Sequence, residues 1–201
     1  DLDGTTGRRS VEGLRARGSL GWWLGQAGRW SEATVMYQEL LKDRSRLLGP
    51  RAVETLRTRH NAAWFLNRQG RTREAVREFE IILRDQVAVL GPDSVDTIST
   101  QHRLAWCLGE VGRVEEAISI FESVIHLRMR TLGPDSLETL NSRNNLAWWL
   151  ARSGRTREAS RIFNEVLADR ARILGQAAPD TLTPRHRLGE ALQRAVKFDQ
   201  A

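Results

Sequence analysis

Apolar residues recur three or four positions apart along most of this chain, and the pattern stops and restarts at regular points. Between Val53 and Gln69, Leu56, Ala63 and Leu66 fall on one stripe; between Arg73 and Leu90, Ala75, Phe79, Ile82 and Leu83 fall on another. That spacing predicts an amphipathic helix over each segment. Gly70 follows the first, as glycine commonly follows a helix end, and Gly91-Pro92 closes the second. Ser94 stands where its hydroxyl can cap the next helix. No segment alternates in the manner of a strand, and the connections are short, so the expected fold is all-α.

The stops and starts have a fixed period. Leu48-Gly49-Pro50 returns as Leu90-Gly91-Pro92 and Leu132-Gly133-Pro134, then as Leu174-Gly175-Gln176, each 42 positions on. Gly28-Arg29 returns as Gly70-Arg71, Gly112-Arg113 and Gly154-Arg155, and Glu32-Ala33 as Glu74-Ala75, Glu116-Ala117 and Glu158-Ala159. A period of this length marks a solenoid, in which each unit buries its apolar face by stacking on its neighbours. The expectation is nine helices in a right-handed α-solenoid of stacked helix-turn-helix repeats, with Gly28, Gly70, Gly112 and Gly154 in the tight turns. One domain spans residues 1–201, with repeats at 9–50, 51–92, 93–134 and 135–176 and a partial one at 177–201.

The ends read as cut edges. Residues Asp1 to Arg8 align with the end of a second helix but have lost its apolar pattern, and Ala201 aligns with Ala159, where a partner helix should begin. Pro184 places the start of the last helix near Thr183, because proline is best tolerated in a first turn. Leu182, Leu188 and Leu192 then form an apolar stripe without a partner, and the chain is expected to be a piece of a longer protein, able to self-associate through its truncated repeats.

Second helices carry an alanine followed four residues on by an aromatic: Ala33 and Tyr37, Ala75 and Phe79, Ala117 and Phe121, Ala159 and Phe163. Small residues, Gly21, Ala63, Ala105 and Ala147, stand where the two helices of a pair must approach. This pattern resembles the tetratricopeptide repeat, whose usual period is about 34. The longer period, the Leu-Gly-Pro-Asp connectors and Asn144-Asn145-Leu146-Ala147 are similar to the kinesin-light-chain-type branch. The tryptophan that opens the first helix in that family is replaced by Arg17, Arg59, Gln101 and Arg143. The resemblance implies a scaffold that binds peptides or proteins in a concave face and is not an enzyme. Similar repeats are common in bacterial regulatory and signalling proteins, so the resemblance implies the interaction or sensor part of a larger regulator.

Composition bounds the reading. Of 201 residues 40% are hydrophobic and 28% charged, which suits a globular chain with a substantial core. No apolar run reaches about 18 residues, so no membrane partner is expected, and no secretory signal core is present near the N-terminus. Cys107 is the single cysteine, which excludes an intrachain disulfide and zinc clusters and fits a reducing, cytoplasmic location. The histidines recur one per repeat with no i, i+4 pair, so no metal is expected and no cofactor is implied. There is no glycine-rich phosphate loop, nucleophile elbow or convergent His/Asp/Ser set, so catalysis is not expected.

The formal charge is +6, carried almost wholly by arginine, since Lys42 and Lys197 are the only lysines. A GC-rich coding sequence would give that bias by itself; a functional reading needs the arginines to be unevenly placed. On a wheel for residues 95–110 with Leu104 at zero, Leu108, Gln101 and Ala105 fall within about 100°, the buried arc, while His102 and Trp106 fall near 160° and 200°. Trp22, Trp64, Trp106 and Trp148 share that outward slot and form a ladder. Two readings stay open: neighbouring indoles stack and seal the surface, or they form an adhesive strip of hot-spot residues. Trp23, Phe65 and Trp149 fall beside the core and read as packing, and Trp30 reads as a turn residue between helices.

Arg15, Arg57, Arg68, Arg103, Arg152, Arg187 and Arg194 fall on the outward arc against Glu110 and Glu190, seven minus two, or +5. His60, His102, His186 and Asn144 share one position on it, with Asn61 and Asn145 beside them. In the family, asparagines near here clasp a ligand backbone, which carries over to Asn61 and Asn145. Arginine beside tryptophan suits carboxylates. The expected partner is a protein or peptide segment, acidic and with an apolar anchor. Single-stranded nucleic acid or another polyanion is an alternative for the same groove, and a structural arm packed on other domains is a second.

Overall fold

The computed structural model describes residues 10–175. They form eight α-helices in four pairs: α1 (Val11–Gln26) with α2 (Trp30–Leu48), α3 (Val53–Arg68) with α4 (Thr72–Leu90), α5 (Val95–Glu110) with α6 (Val114–Leu132), and α7 (Leu137–Arg152) with α8 (Thr156–Leu174). The expected ninth helix, with Pro184, Leu182, Leu188 and Leu192, lies outside the described residues, as does the stretch before Ser10. No strand occurs among the described residues.

Turn chemistry sets the helix boundaries. Gly28, Gly70, Gly112 and Gly154 have φ of 78°, 80°, 91° and 87°, a left-handed conformation that other residues enter only with strain. Ser94 and Ser136 cap α5 and α7: each Oγ accepts from the backbone N–H three residues on, of Thr97 at 3.2 Å and of Thr139 at 3.1 Å. The threonine hydroxyl in turn donates to the carbonyl of Gly91 or Gly133 at 2.9 Å, tying the connector to the new helix.

The chain divides into two compact units, Asp1–Cys107 and Leu108–Ala201. In the first, α1 packs on α2, α2 on α3 and α3 on α4; in the second, α6 packs on α7 and α7 on α8. Tyr37, Phe79, Phe121 and Phe163 are buried, as are Ala33, Ala75, Ala117 and Ala159. Opposite them Gly21, Ala63, Ala105 and Ala147 are buried too, and a Cβ on Gly21 would stand 2.9 Å from the Tyr37 ring. Large against small at a fixed offset lets paired helices close up, which is the physical content of the alanine–aromatic pattern.

Where the family's tryptophan is missing, an ion pair holds the pair of helices together. Arg17 bonds Asp43 at 2.5 Å, Arg59 bonds Asp85 at 3.0 Å, and Arg143 bonds Asp169 and Glu165, both at 2.8 Å. The repeat that has Gln101 in place of the arginine also has Leu127 in place of the aspartate.

One packing expectation fails. Phe65 and Trp149 are buried, but Trp23 is 68% exposed. Phe65 lies against Gly25 of the preceding pair, and Trp149 against Gly109. The wheel also errs at one position: His102 and Asn144 are buried, although the arc points them outward. A first helix packs on two second helices, its own and the preceding one, as α3 does on α2 and α4 and α7 does on α6 and α8. Its buried arc is therefore wider than that of an isolated hairpin.

Candidate protein-binding face

Within the first unit the ladder positions are not equivalent. Trp22 is 37% exposed and its ring centroid lies 6.4 Å from that of Phe65. Trp64 is half-buried, with one edge on the cluster of Leu14, Ala33, Tyr37, Leu40 and Phe65. Trp106 is half-buried as well. What lies over Trp64 is arginine. The Arg103 guanidinium is 3.9 Å from its ring centroid, and that of Arg68 is 5.8 Å from Trp64 and 4.8 Å from Trp30. Trp30, Arg68, Trp64 and Arg103 thus form a series of alternating rings and cations. A guanidinium held over an indole lies across the ring face with its N–H groups directed outward at the rim. Trp30 opens α2 rather than sitting in the turn, and its carbonyl accepts from Gln69 Nε2 at 3.0 Å.

Beside this series α3, α4 and α5 enclose a cleft of about 210 Å³ lined by Arg57, His60, Asn61, Gln86, Asp96 and Ser99. Arg57 Nε bonds Asp96 Oδ2 at 2.8 Å. His60 Nδ1 lies 2.9 Å from Thr100 Oγ1, and its ring meets Phe79 edge-on at 5.4 Å. Burial, reinforced by the nearby Arg103 charge, pushes the His60 pKa down to about 3, so the imidazole is neutral at pH 7. Asn61 Nδ2 donates to the Tyr37 hydroxyl at 3.2 Å, which donates to the Gly18 carbonyl at 3.0 Å. Asn61 is therefore positioned by the preceding pair of helices.

In the second unit Arg152 lies 5.8 Å from the Trp148 ring and 5.6 Å from that of Trp149. Trp148 and Asn145 are half-buried and Asn144 is buried. Arg15 is exposed on α1. Arg187, Arg194, His186 and Glu190 lie outside the described residues.

Three participants escaped the sequence reading: Asp96, Gln86 and Trp30. Asp96 sits one helical turn before Ser99, the repeat counterpart of Arg57, and its pairing lowers the charge excess counted on that face. Gln86 had a visible signal, because its counterparts at 44, 128 and 170 are all arginine.

Stacked pairs of helices with a repeated small-against-aromatic contact define a helical-repeat scaffold. Profiles of the tetratricopeptide repeat match residues 55–128 and 110–172, and a second profile of the same repeat matches residues 14–51. The chain belongs to the tetratricopeptide repeat family, whose members are protein–protein interaction scaffolds and typically non-catalytic. No curated protein matches the chain in sequence. It is similar to a solved structure from Podosopora anserina described as a kinesin light chain with nearly identical TPR-like repeats. That match has 25% identity and a TM-score of 0.76, over 93% of this chain and 89% of the other. BtubC (BKLC) of P. vanneervenii has the same fold, at 21% identity and TM-score 0.76 over 98% and 84%. So does YrrB, a TPR protein with an unusual peptide-binding site, at 13% identity and TM-score 0.56 over 98% and 95%. No helix among the described residues is long and apolar enough to cross a membrane.

Proposed function

We propose that the first unit binds a peptide or protein segment along the face that carries Trp22, Trp64 and Trp106, with Arg68 and Arg103 as its cationic contacts. The observation that carries this reading is Trp64, half-buried against the core and overlaid by two guanidinium groups. The core fixes the indole before any partner arrives, so little side-chain entropy is lost on binding. An apolar residue of the partner packs on the indole rim, and acidic residues bond the guanidinium edges. Arg57 contributes less than its charge suggests, because Asp96 already holds it. Trp148, Arg152 and Asn145 offer a similar combination within the second unit.

The test is selection of a randomised peptide library on the purified chain, followed by Trp64→Ala and Arg103→Glu. Selected peptides are expected to combine an apolar anchor with acidic neighbours and to lose affinity for both variants. Selection of nothing, or peptides indifferent to both changes, would overturn the reading.

A further inference from the structure

The cleft beside Trp64 owes its existence to one substitution in the repeat. Where Gln86 stands, repeats one and three have an arginine that reaches across to the next first helix. Arg44 Nη1 donates to the Glu54 carbonyl at 3.0 Å and to Thr58 Oγ1 at 2.7 Å. Arg128 Nη1 donates to the Glu138 carbonyl and to Ser142 Oγ, both at 2.8 Å. For Gln86 the counterparts of these acceptors, on the next first helix, are the Asp96 carbonyl and Thr100 Oγ1. Glutamine is too short to copy the bridge, and the volume of the missing guanidinium is left open. Gln86 is 1% exposed and lines the cleft, and its Oε1 is buried without a hydrogen-bond partner. A buried polar atom left unsatisfied is costly, and in a native structure it points to something that completes it.

The lining selects what that is. Arg57 and Asp96 cancel, and His60 is neutral, so the cleft carries no net charge to attract an ion. A carboxylate would set more acceptors against Asp96 and Gln86. An ammonium would satisfy Gln86 but set a second cation beside the Arg57 guanidinium. An alkyl group would satisfy none of the polar groups. A carboxamide has a donor and an acceptor on the same carbon, and it matches Gln86 in either orientation of the glutamine amide. At about 210 Å³ the cleft is smaller than an ordinary small-molecule site and is suited to a single side chain.

We propose that this cleft is a subsite for one asparagine or glutamine side chain of the segment bound along the tryptophan face, with Gln86 as its hydrogen-bond partner. The proposal rests on the peptide-binding reading above and adds a specificity to it. A repeat scaffold of near-identical pairs offers no register for an extended ligand; one pair that differs supplies it.

Three proteins test this: the native chain, Gln86→Arg, which rebuilds the bridge and fills the cleft, and Gln86→Met, which keeps the shape and removes the acceptor. Peptides selected from the library by the native chain should enrich Asn or Gln at one position. Replacing that residue by Leu or Asp should weaken native binding by about tenfold, the worth of one well-made hydrogen bond. Against Gln86→Arg and Gln86→Met the same replacement should change little. If peptides are selected without that preference, or the preference survives in both variants, the subsite is refuted and the tryptophan face stands. If no peptide binds, the tryptophan face is refuted. A nuclear magnetic resonance titration with propionamide and propionate then decides the cleft. Shifts at His60 and Gln86 with propionamide alone, absent from Gln86→Arg, would uphold it. No shift would mean that the cleft holds only water.

Discussion

Arginine has several distinct roles in this chain, and its geometry decides them residue by residue. Arg29, Arg71, Arg113 and Arg155 each grip the glutamate three positions on through two bonds of 2.6 to 2.8 Å at the start of a second helix. These are surface pairs, so removing one should lower the melting temperature only slightly and in a salt-dependent way. Arg128 is different, because one buried nitrogen serves two acceptors on the next helix. Arg128→Lys should cost about 1–3 kcal/mol in chemical denaturation, since an ammonium lacks the reach and the planar fork. His60 supplies a pH prediction. Its pKa is about 3 when folded and near 6.5 when unfolded, so between those values the unfolded chain binds the extra proton. Its contribution to stability is therefore complete above pH 6.5 and is lost as the pH falls. Between about pH 6.5 and 5, before carboxylates titrate, His60→Asn should show a flatter decline in stability than the native chain. Identical slopes would show that His60 is solvated. None of these roles follows from counting arginines or histidines, which is why the sequence left codon bias and function side by side.

At the scale of the helix, the repeat was legible and its exceptions were not. Period, turn glycines and the alanine–aromatic contact could all be read because each is a local requirement recurring in every copy; serine caps could be read too, although Ala52 takes that place before α3. The seats of Phe65 and Trp149 were not legible, since each depends on a glycine in the preceding pair of helices. That dependence makes a prediction opposite to helix propensity. Alanine is the better helix former by about 0.8–1 kcal/mol, so Gly25→Ala and Gly109→Ala should stabilise α1 and α5 if propensity rules. A Cβ would stand 2.0 Å from Phe65 at the first site and 2.4 Å from Trp149 at the second. Both changes should instead destabilise by about 1–3 kcal/mol, the usual cost of overpacking. Pairing Gly25→Ala with Phe65→Leu should recover part of the loss, and a gain in stability from either alanine alone would show that the rings move aside freely.

For the molecule as a whole, the sequence grouped the residues of the proposed binding face better than it described their arrangement. The wheel placed Trp64, Trp106, Arg68 and Arg103 together because helical phase is a property of one segment. It could not show Asp96 neutralising Arg57, or the order ring–cation–ring, because those are set between repeats. Two expectations for the indoles therefore remain to be separated, and Trp64 separates them. If it only seals the surface, Trp64→Ala should cost about 3–5 kcal/mol, as truncation of a buried aromatic does, with peptide affinity unchanged in the folded fraction. If it anchors a partner, the loss of stability should be smaller, because the ring is only half-buried, and affinity for a selected peptide should fall by about 2 kcal/mol or more. Arg103→Glu adds the electrostatic half of the argument. It removes the cation over Trp64, so it should weaken an acidic peptide and flatten the dependence of its affinity on salt. A polyanion would pass that charge test too, since its binding is governed by the number of cations it neutralises. Heparin distinguishes the two, as it carries charge without an apolar side chain. A peptide anchored on the indole should lose affinity to Trp64→Ala at high salt, where heparin no longer competes. If heparin displaces the peptide at every salt concentration, and Trp64→Ala binds both as tightly as the native chain, the face is a general polyanion surface and the indole is no anchor.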